Sequence, residues 1–246
     1  IYMAIRRGGM QTPTAASDVF AIDTRGSTGD GNEPAFRSTF PVDFALVKDI
    51  DSGTNWTAKI RLLQGKDLNP NTTGAEQGAN YNLFDYMNGH FARSNTESDK
   101  QSWMWKRARG YFDIVTTKST NGNVNHNLGV VPEMVWYKRR DSADDWFVCT
   151  ATDGYLFLNQ TARNQGYGNG SYLTNAYGAQ ATSTTVNTGY NFTGVTTADM
   201  VIYLFATAAG VSKVGSYTGT GSSQNIDCGF TAGSSFVLVK RHDGTD

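Results

Sequence analysis

The chain has 246 residues, a formal net charge of −1 and only 17% charged side chains. That balance excludes the broad basic field that nucleic-acid binding needs, and no apolar run reaches the ~18 residues of a membrane-crossing helix. Polarity comes from Ser, Thr, Asn and 27 Gly against 5 Pro, a mixture suited to short strands joined by turns, because Gly supplies positive φ and Asn tolerates it.

In chain order, residues 1–9 read IYMAIRRGG, an aromatic strand ending in Gly. A short apolar segment follows at 19–22 (VFAI), then a Gly-containing turn, an alternating strand (AFRSTF) and the strongest strand of the region, DFALVK at 43–48. It runs into KDIDSGTNW, and Trp56 opens the next strand, WTAKIRLL. After a long polar stretch, WMWKRARG at 103–110 is again an aromatic strand ending in Gly.

The same order then recurs. YFDIV, KSTNGN, VNHNLGVV and EMVWYK lead to KRRDSADDW at 138–146 and to WFVCTA, and IYLFATAAG closes at 202–210. A third pass begins with KVGSY, TGTGSSQ, IDCGF and SFVLVK, and reaches KRHDGTD at 240–246. Repeats at such a spacing indicate one supersecondary body used several times. The expected division is the last strand of a preceding repeat over 1–10, one repeat over 17–110, a second over 111–210 and the start of a truncated third over 211–246. The opening in mid-strand suggests a piece of a longer polypeptide.

Period-2 patterning dominates, so the expected fold is all-β: tandem antiparallel β-sandwich repeats of roughly 90–100 residues. Each is long enough to hold its own core, which predicts beads that fold alone and touch at short linkers, forming a stiff rod. Only YNLFDYMNGHF at 81–91, with Leu83, Phe84 and Met87 at i, i+1 and i+4, allows one short helix.

The Lys-x-x-Asp-x-x-x-x-Trp motif reads as a hairpin. Lys ends the central strand, Asp51 or Asp141 enters the turn and accepts backbone N–H groups, and Trp56 or Trp146 returns to the core. The alternative is a cation site on Asp141, Asp144 and Asp145, although the first copy keeps only Asp51 and offers too few oxygens for Ca²⁺. Lys106, Arg107 and Arg109, like Arg6 and Arg7, read either as solvated strand ends or as ion pairs to the next unit.

No catalytic residue is assigned. His126 aligns with Phe36 and lies near the place of Cys228, which suggests packing, and His90 and His242 have no partner motif. Cys149 and Cys228 read as free thiols, and no phosphate loop, nucleophile elbow or zinc signature occurs. Residues 70–102 and 160–195 diverge between copies and are rich in Asn, Gly, Ser, Thr and Tyr, as loops carried by a fixed scaffold are. Tyr167, Tyr172, Tyr177 and Tyr190 with Asn169 and Asn175 are candidates for sugar contact, with rings for sugar faces and amides for hydroxyls.

WKRARGYFDIV, VNHNLGVVPEMVWYKRRDSADDW and YLFATAAGVSKVGSYTGTGSSQNIDCGF resemble a tandem repeat domain of structural proteins in marine tailed bacteriophages, cyanophages especially. The resemblance is closest over 111–246 and looser over 1–110, where Asp49 and Ile50 replace the two Arg of KRRD. It implies a virion structural protein, a tail or fibre component. Other virion proteins would be its partners, and it would form a homo-oligomer. A host-surface glycan is a further contact, the carbohydrate-binding module being the alternative reading. Neither nucleic acid, membrane insertion, metal nor cofactor is expected.

Overall fold

The computed structural model describes residues 10–24, 34–78, 82–92, 99–119, 122–150, 155–161, 181–188 and 194–241. The strands are β1 (Phe20–Thr24), β2 (Phe36–Arg37), β3 (Phe44–Asp49), β4 (Thr57–Ile60), β5 (Lys66–Leu68), β6 (Gln77–Gly78), β7 (Asn82–Leu83), β8 (Gly89–Ala92) and β9 (Lys100–Trp105). They continue with β10 (Phe112–Ser119), β11 (Asn123–Asn125), β12 (Met134–Arg139), β13 (Trp146–Thr150), β14 (Tyr155–Phe157), β15 (Thr185–Asn187) and β16 (Thr197–Phe205). The protein is nearly all β. Helical geometry among the described residues is confined to single 3-10 turns at Ala16–Asp18 and Arg61–Leu63.

Two large antiparallel sheets result, ordered β1-β9-β3-β4-β5-β6 and β10-β16-β12-β13-β14. The second repeats the order of the first, strand for strand, over its five strands. The registers agree as well. Phe44 lies opposite Trp105, and Met134, at the same place in its copy, lies opposite Phe205. Phe20 pairs with Trp105 as Phe112 pairs with Phe205. Matching backbone bonds frame both sheets: Asp43 N–H to Trp105 O and Glu133 N–H to Phe205 O, Ile50 N–H to Asp99 O and Arg140 N–H to Asp199 O, Lys106 N–H to Val19 O and Ala206 N–H to Tyr111 O.

Alternation along each strand gives each sheet two apolar faces. On the outer face of the first, Ala45, Val47 and Met104 pack with Phe36 and Phe84, beneath the small sheet β2-β8-β7. On the outer face of the second, Val135, Tyr137, Phe147, Cys149 and Ile202 pack with Val186, beneath the pair β11-β15. The inner faces meet each other. Phe44, Leu46, Ala58 and Trp105 of the first sheet share one cluster with Ile114, Trp136, Trp146 and Tyr203 of the second. Phe44 sits 5.8 Å from the Phe112 ring and 5.0 Å, edge-on, from Tyr203. The sequence suggested bodies touching at linkers. Instead, the two sheets join through whole faces, because both faces of the central strands are apolar and each must be covered.

Two local expectations are corrected. Among the described residues of 81–91 there is no helix; β7 and β8 pair antiparallel across a turn. Phe84 and His90 are both buried and stack at 5.3 Å, whereas Met87 is 73% exposed, so the i+4 residue does not share the buried face. Gly89, at φ +151, approaches Phe36 so closely that a Cβ would stand 2.0 Å from its carbonyl oxygen, a fit that requires Gly. Second, 213–217, 226–230 and 235–240 were expected as strands and form none. Strands are stable only when paired, and the partner that joins such segments in both large sheets is a closing strand of the β9 or β16 kind.

Candidate functional site

The joint between the two sheets is where the recurring residues converge. In the hairpin after β12, the fully buried Lys138 ammonium donates to Thr73 O at 3.0 Å and to Asp144 O at 2.8 Å. Burial pushes its pKa down to about 8, against the opposing pull of Asp144 and Asp145. In the hairpin after β3, Lys48 is half-buried and donates to Asp49 O and Ser52 O of its own turn. The motif's Lys therefore ties down carbonyls of the turn that follows it.

The motif's Trp is held by an Asn that lies just past a strand of its own sheet, β14 or β5. Asn159 Oδ1 accepts Trp146 N–H at 2.8 Å, and its Nδ2 donates to Asp145 Oδ1 at 2.7 Å. In the first copy Asn71 Oδ1 accepts Trp56 N–H at 3.1 Å, and its Nδ2 donates to Asn55 Oδ1 at 2.8 Å. The Trp146 indole N–H reaches across the joint to Asn69 O at 3.0 Å. The loop around 69–76 adds Thr73 O, which also accepts Asp144 N–H, and Glu76, whose N–H donates to Arg140 O and whose carboxylate accepts Arg140 Nε at 2.9 Å.

A second polar cluster closes the other end. Asp113 is fully buried and accepts from Arg107 Nε, Ile114 N–H and Asn127 N–H. Arg107 N–H in turn donates to Asp43, whose carboxyl pKa is raised by burial. The basic cluster thus contributes an ion pair across the joint through Arg107, while Arg109 is exposed. Gly110 and Gly210 lie in the turns that follow the closing strands, with φ of 72 and 71, a conformation that costs other residues ~1–2 kcal/mol.

The three acidic residues weighed as a cation site point to different partners. Asp141 accepts from Arg139 Nε at 2.7 Å, Asp144 from Asp145 N–H, and Asp145 from Asn159 and Gln160. Among the described residues no group of three or more His, Cys, Asp or Glu is placed to hold a metal ion. His90 is stacked between Phe36 and Phe84 with Nε2 against Ser102 Oγ at 2.8 Å, and burial drives its pKa well down. His126 accepts Leu128 N–H at Nδ1 and donates from Nε2 to Thr182 O. Both cysteines are free. Tyr167, Asn169, Tyr172, Asn175, Tyr177, Tyr190 and His242 lie outside the described residues.

Residues 62–246 match the family model of a domain of unknown function. The chain belongs to the DUF7483 family. The DUF7483 match takes in β5 to β16, the 69–76 loop, the second hairpin and the segment after Gly210, so both sides of the joint fall within it except for Lys48, Trp56 and the strands before Leu62. No curated protein and no solved structure matches the chain.

The sequence reading missed Asp113, Asn127, Thr73 and Glu76. Their signal was weak, since each works through backbone groups or across a joint that no single copy contains. Asn69 and Asn159 were visible as matched positions, without their role.

Proposed function

We propose that this DUF7483 protein is a structural component of a bacteriophage particle, part of a tail or fibre, serving as a rigid spacer and host-surface contact without catalysis. The observation that carries the reading is how the recurring residues are spent. Lys138, Trp146 and Asn159 all hold backbone or neighbouring sheet in place, as a load-carrying body requires, and Arg107 adds an ion pair at the junction. The resemblance to phage virion repeats is most specific over 125–140, which contains Lys138, and over 209–217. The diverging Tyr- and Asn-rich loops would supply weak contacts that many copies on one particle multiply by avidity.

Quantitative mass spectrometry of purified particles of the encoding phage tests this. The expected result is the chain at several copies per particle. Its expression in infected cells together with absence from particles would overturn the reading.

A further inference from the structure

Two turns of this chain are built alike. After β9, Ala108 and Phe112 exchange backbone hydrogen bonds at 2.9 and 3.2 Å, with Gly110 between them at φ 72. After β16, Ala208 and Ser212 exchange them at 3.1 and 2.9 Å, with Gly210 at φ 71. A carboxylate from the residue before the central strand takes the same backbone group at each turn: Asp43 accepts Arg107 N–H and Glu133 accepts Thr207 N–H. Ser212 therefore holds the place of Phe112, and 212–217 start from the same turn as β10.

The central segment of this third pass is seated as well. Phe236, which holds Phe44's place in SFVLVK, packs on Phe20 at 6.2 Å and on Trp105 at 5.2 Å. Lys240 donates to Gln160 O, beyond β14, at 2.6 Å, as Lys138 donates to Thr73 O beyond β5. Burial follows a strand's alternation at both ends. Ser212, Val214, Phe236 and Lys240 are half-buried, while Lys213, Gly215, Val237 and Val239 are exposed.

In the two large sheets the opening and central strands are joined by a closing strand that is antiparallel to both: β1-β9-β3 and β10-β16-β12. Each closing strand sets two bulky rings on the inner cluster, two residues apart: Trp103 and Trp105, Tyr203 and Phe205. Phe205 lies opposite Phe112 and Met134, and Tyr203 opposite Ile114 and Trp136. Among the described residues no backbone-to-backbone hydrogen bond reaches 213–239, and Val237 and Val239 stand 68% and 60% exposed. Neither β9 nor β16 can serve a third sheet. Both are bonded along both edges, with Met104, Ile202 and Leu204 fully buried, and a second copy would have its own β9 and β16 engaged in the same way.

We propose that 212–217 and 236–240 are the two walls of an acceptor for an extended strand of a second, different polypeptide. The chemistry of that strand is set by β9 and β16: bulky apolar rings at two alternate positions, and no proline, since both of its edges are bonded. The registers of the complete sheets seat its last ring opposite Ser212 and Phe236, and the ring two residues earlier opposite Val214 and Leu238. Strand addition of this kind pairs backbone groups on two edges at once, and side chains at alternate positions give it specificity. The inference stands on the repeated turn and the seated Phe236, and is independent of the virion reading.

The probe is a fluorescent peptide with the sequence of residues 197–206, TADMVIYLFA, and a lysine tail. It is expected to bind the chain and to raise hydrogen-exchange protection at 212–217 and 236–240 together, by roughly tenfold or more. The same peptide carrying Tyr203→Asp and Phe205→Asp is expected not to bind. Leu238→Asp in the protein, at a residue 44% exposed and outside both large sheets, is expected to weaken binding roughly tenfold. Met87→Asp, at the exposed turn between β7 and β8, should leave binding unchanged. No binding, protection at only one of the two segments, or equal binding by the Asp-bearing peptide or to the Leu238→Asp protein overturns the proposal. Dimers of the chain alone that already protect 236–240 also overturn it, because a second copy would then fill the place.

Discussion

Trp56 and Trp146 hold the same place in the same motif, with matching Asn bonds to their backbones, yet Trp146 is fully buried and Trp56 only partly so. Lys48 and Lys138 differ in the same way: one turns back on its own hairpin, the other is buried and reaches Thr73 of the neighbouring sheet. The hairpin geometry is local and travels with the motif. The burial is tertiary and depends on which sheet covers it. Trp146 and Lys138 are covered by the 69–76 loop of the first sheet, whereas Trp56 packs on Trp103 of its own.

The contrast is broken most directly at the tryptophans. Trp146→Ala is expected to cost about 3–5 kcal/mol, the range for large buried aromatics, and Trp56→Ala about 1–2 kcal/mol, since a partly buried side chain loses less area. Chemical denaturation of the two variants checks this, and equal costs would remove the distinction.

Next in size is Asp113, whose removal strands Arg107 and two backbone N–H groups at a buried joint. Asp113→Ala is expected to cost about 3 kcal/mol, as breaking one side of a buried pair does. Asp23 also accepts the N–H of a residue fourteen positions on, Arg37. It is half-exposed, so Asp23→Ala is expected to cost under about 1 kcal/mol. Thermal melts of the pair measure the difference.

A smaller effect appears in the pH profile. Lys138 holds a pKa of about 8 when folded against 10.5 as an ordinary lysine. Between those values the unfolded chain binds the extra proton, so stability rises with pH across this window, and below pH 8 the penalty is felt in full. The rise amounts to at most about 3 kcal/mol. Urea titrations from pH 7.5 to 10.5 should show it, and Lys138→Met should flatten it.

Smallest are the joint glycines. Gly110→Ala and Gly210→Ala are each expected to cost about 1–2 kcal/mol through the left-handed backbone alone, with like losses because their φ values are alike.

Much of the fold was legible because period-2 alternation reports both faces of a strand. EMVWYK and SFVLVK read as central strands covered on both sides; β12 is one, whereas SFVLVK forms no strand and leaves Val237 and Val239 exposed. The sequence could not say that one of those covers is the other sheet. Alternation marks a face as apolar without naming what lies on it, so separate bodies were expected where a shared cluster exists. The short helix was misjudged at Leu83, Phe84 and Met87 because the i, i+4 pair shares no buried face: Phe84 alone is buried, while Leu83 is half-buried and Met87 exposed. The Lys and Trp of the motif were legible by recurrence. Thr73 and Glu76 were not, since their contacts join segments more than sixty residues apart.

The shared inner cluster is the central claim, and hydrogen exchange on Trp146→Ala tests it most directly. Amides of β3 and β9 should lose protection by the same factor as those of β12 and β16, because both sheets rest on one cluster. Loss confined to β10 to β16, with β3 and β9 as protected as before, would show that the sheets are stabilised separately and would contradict the account.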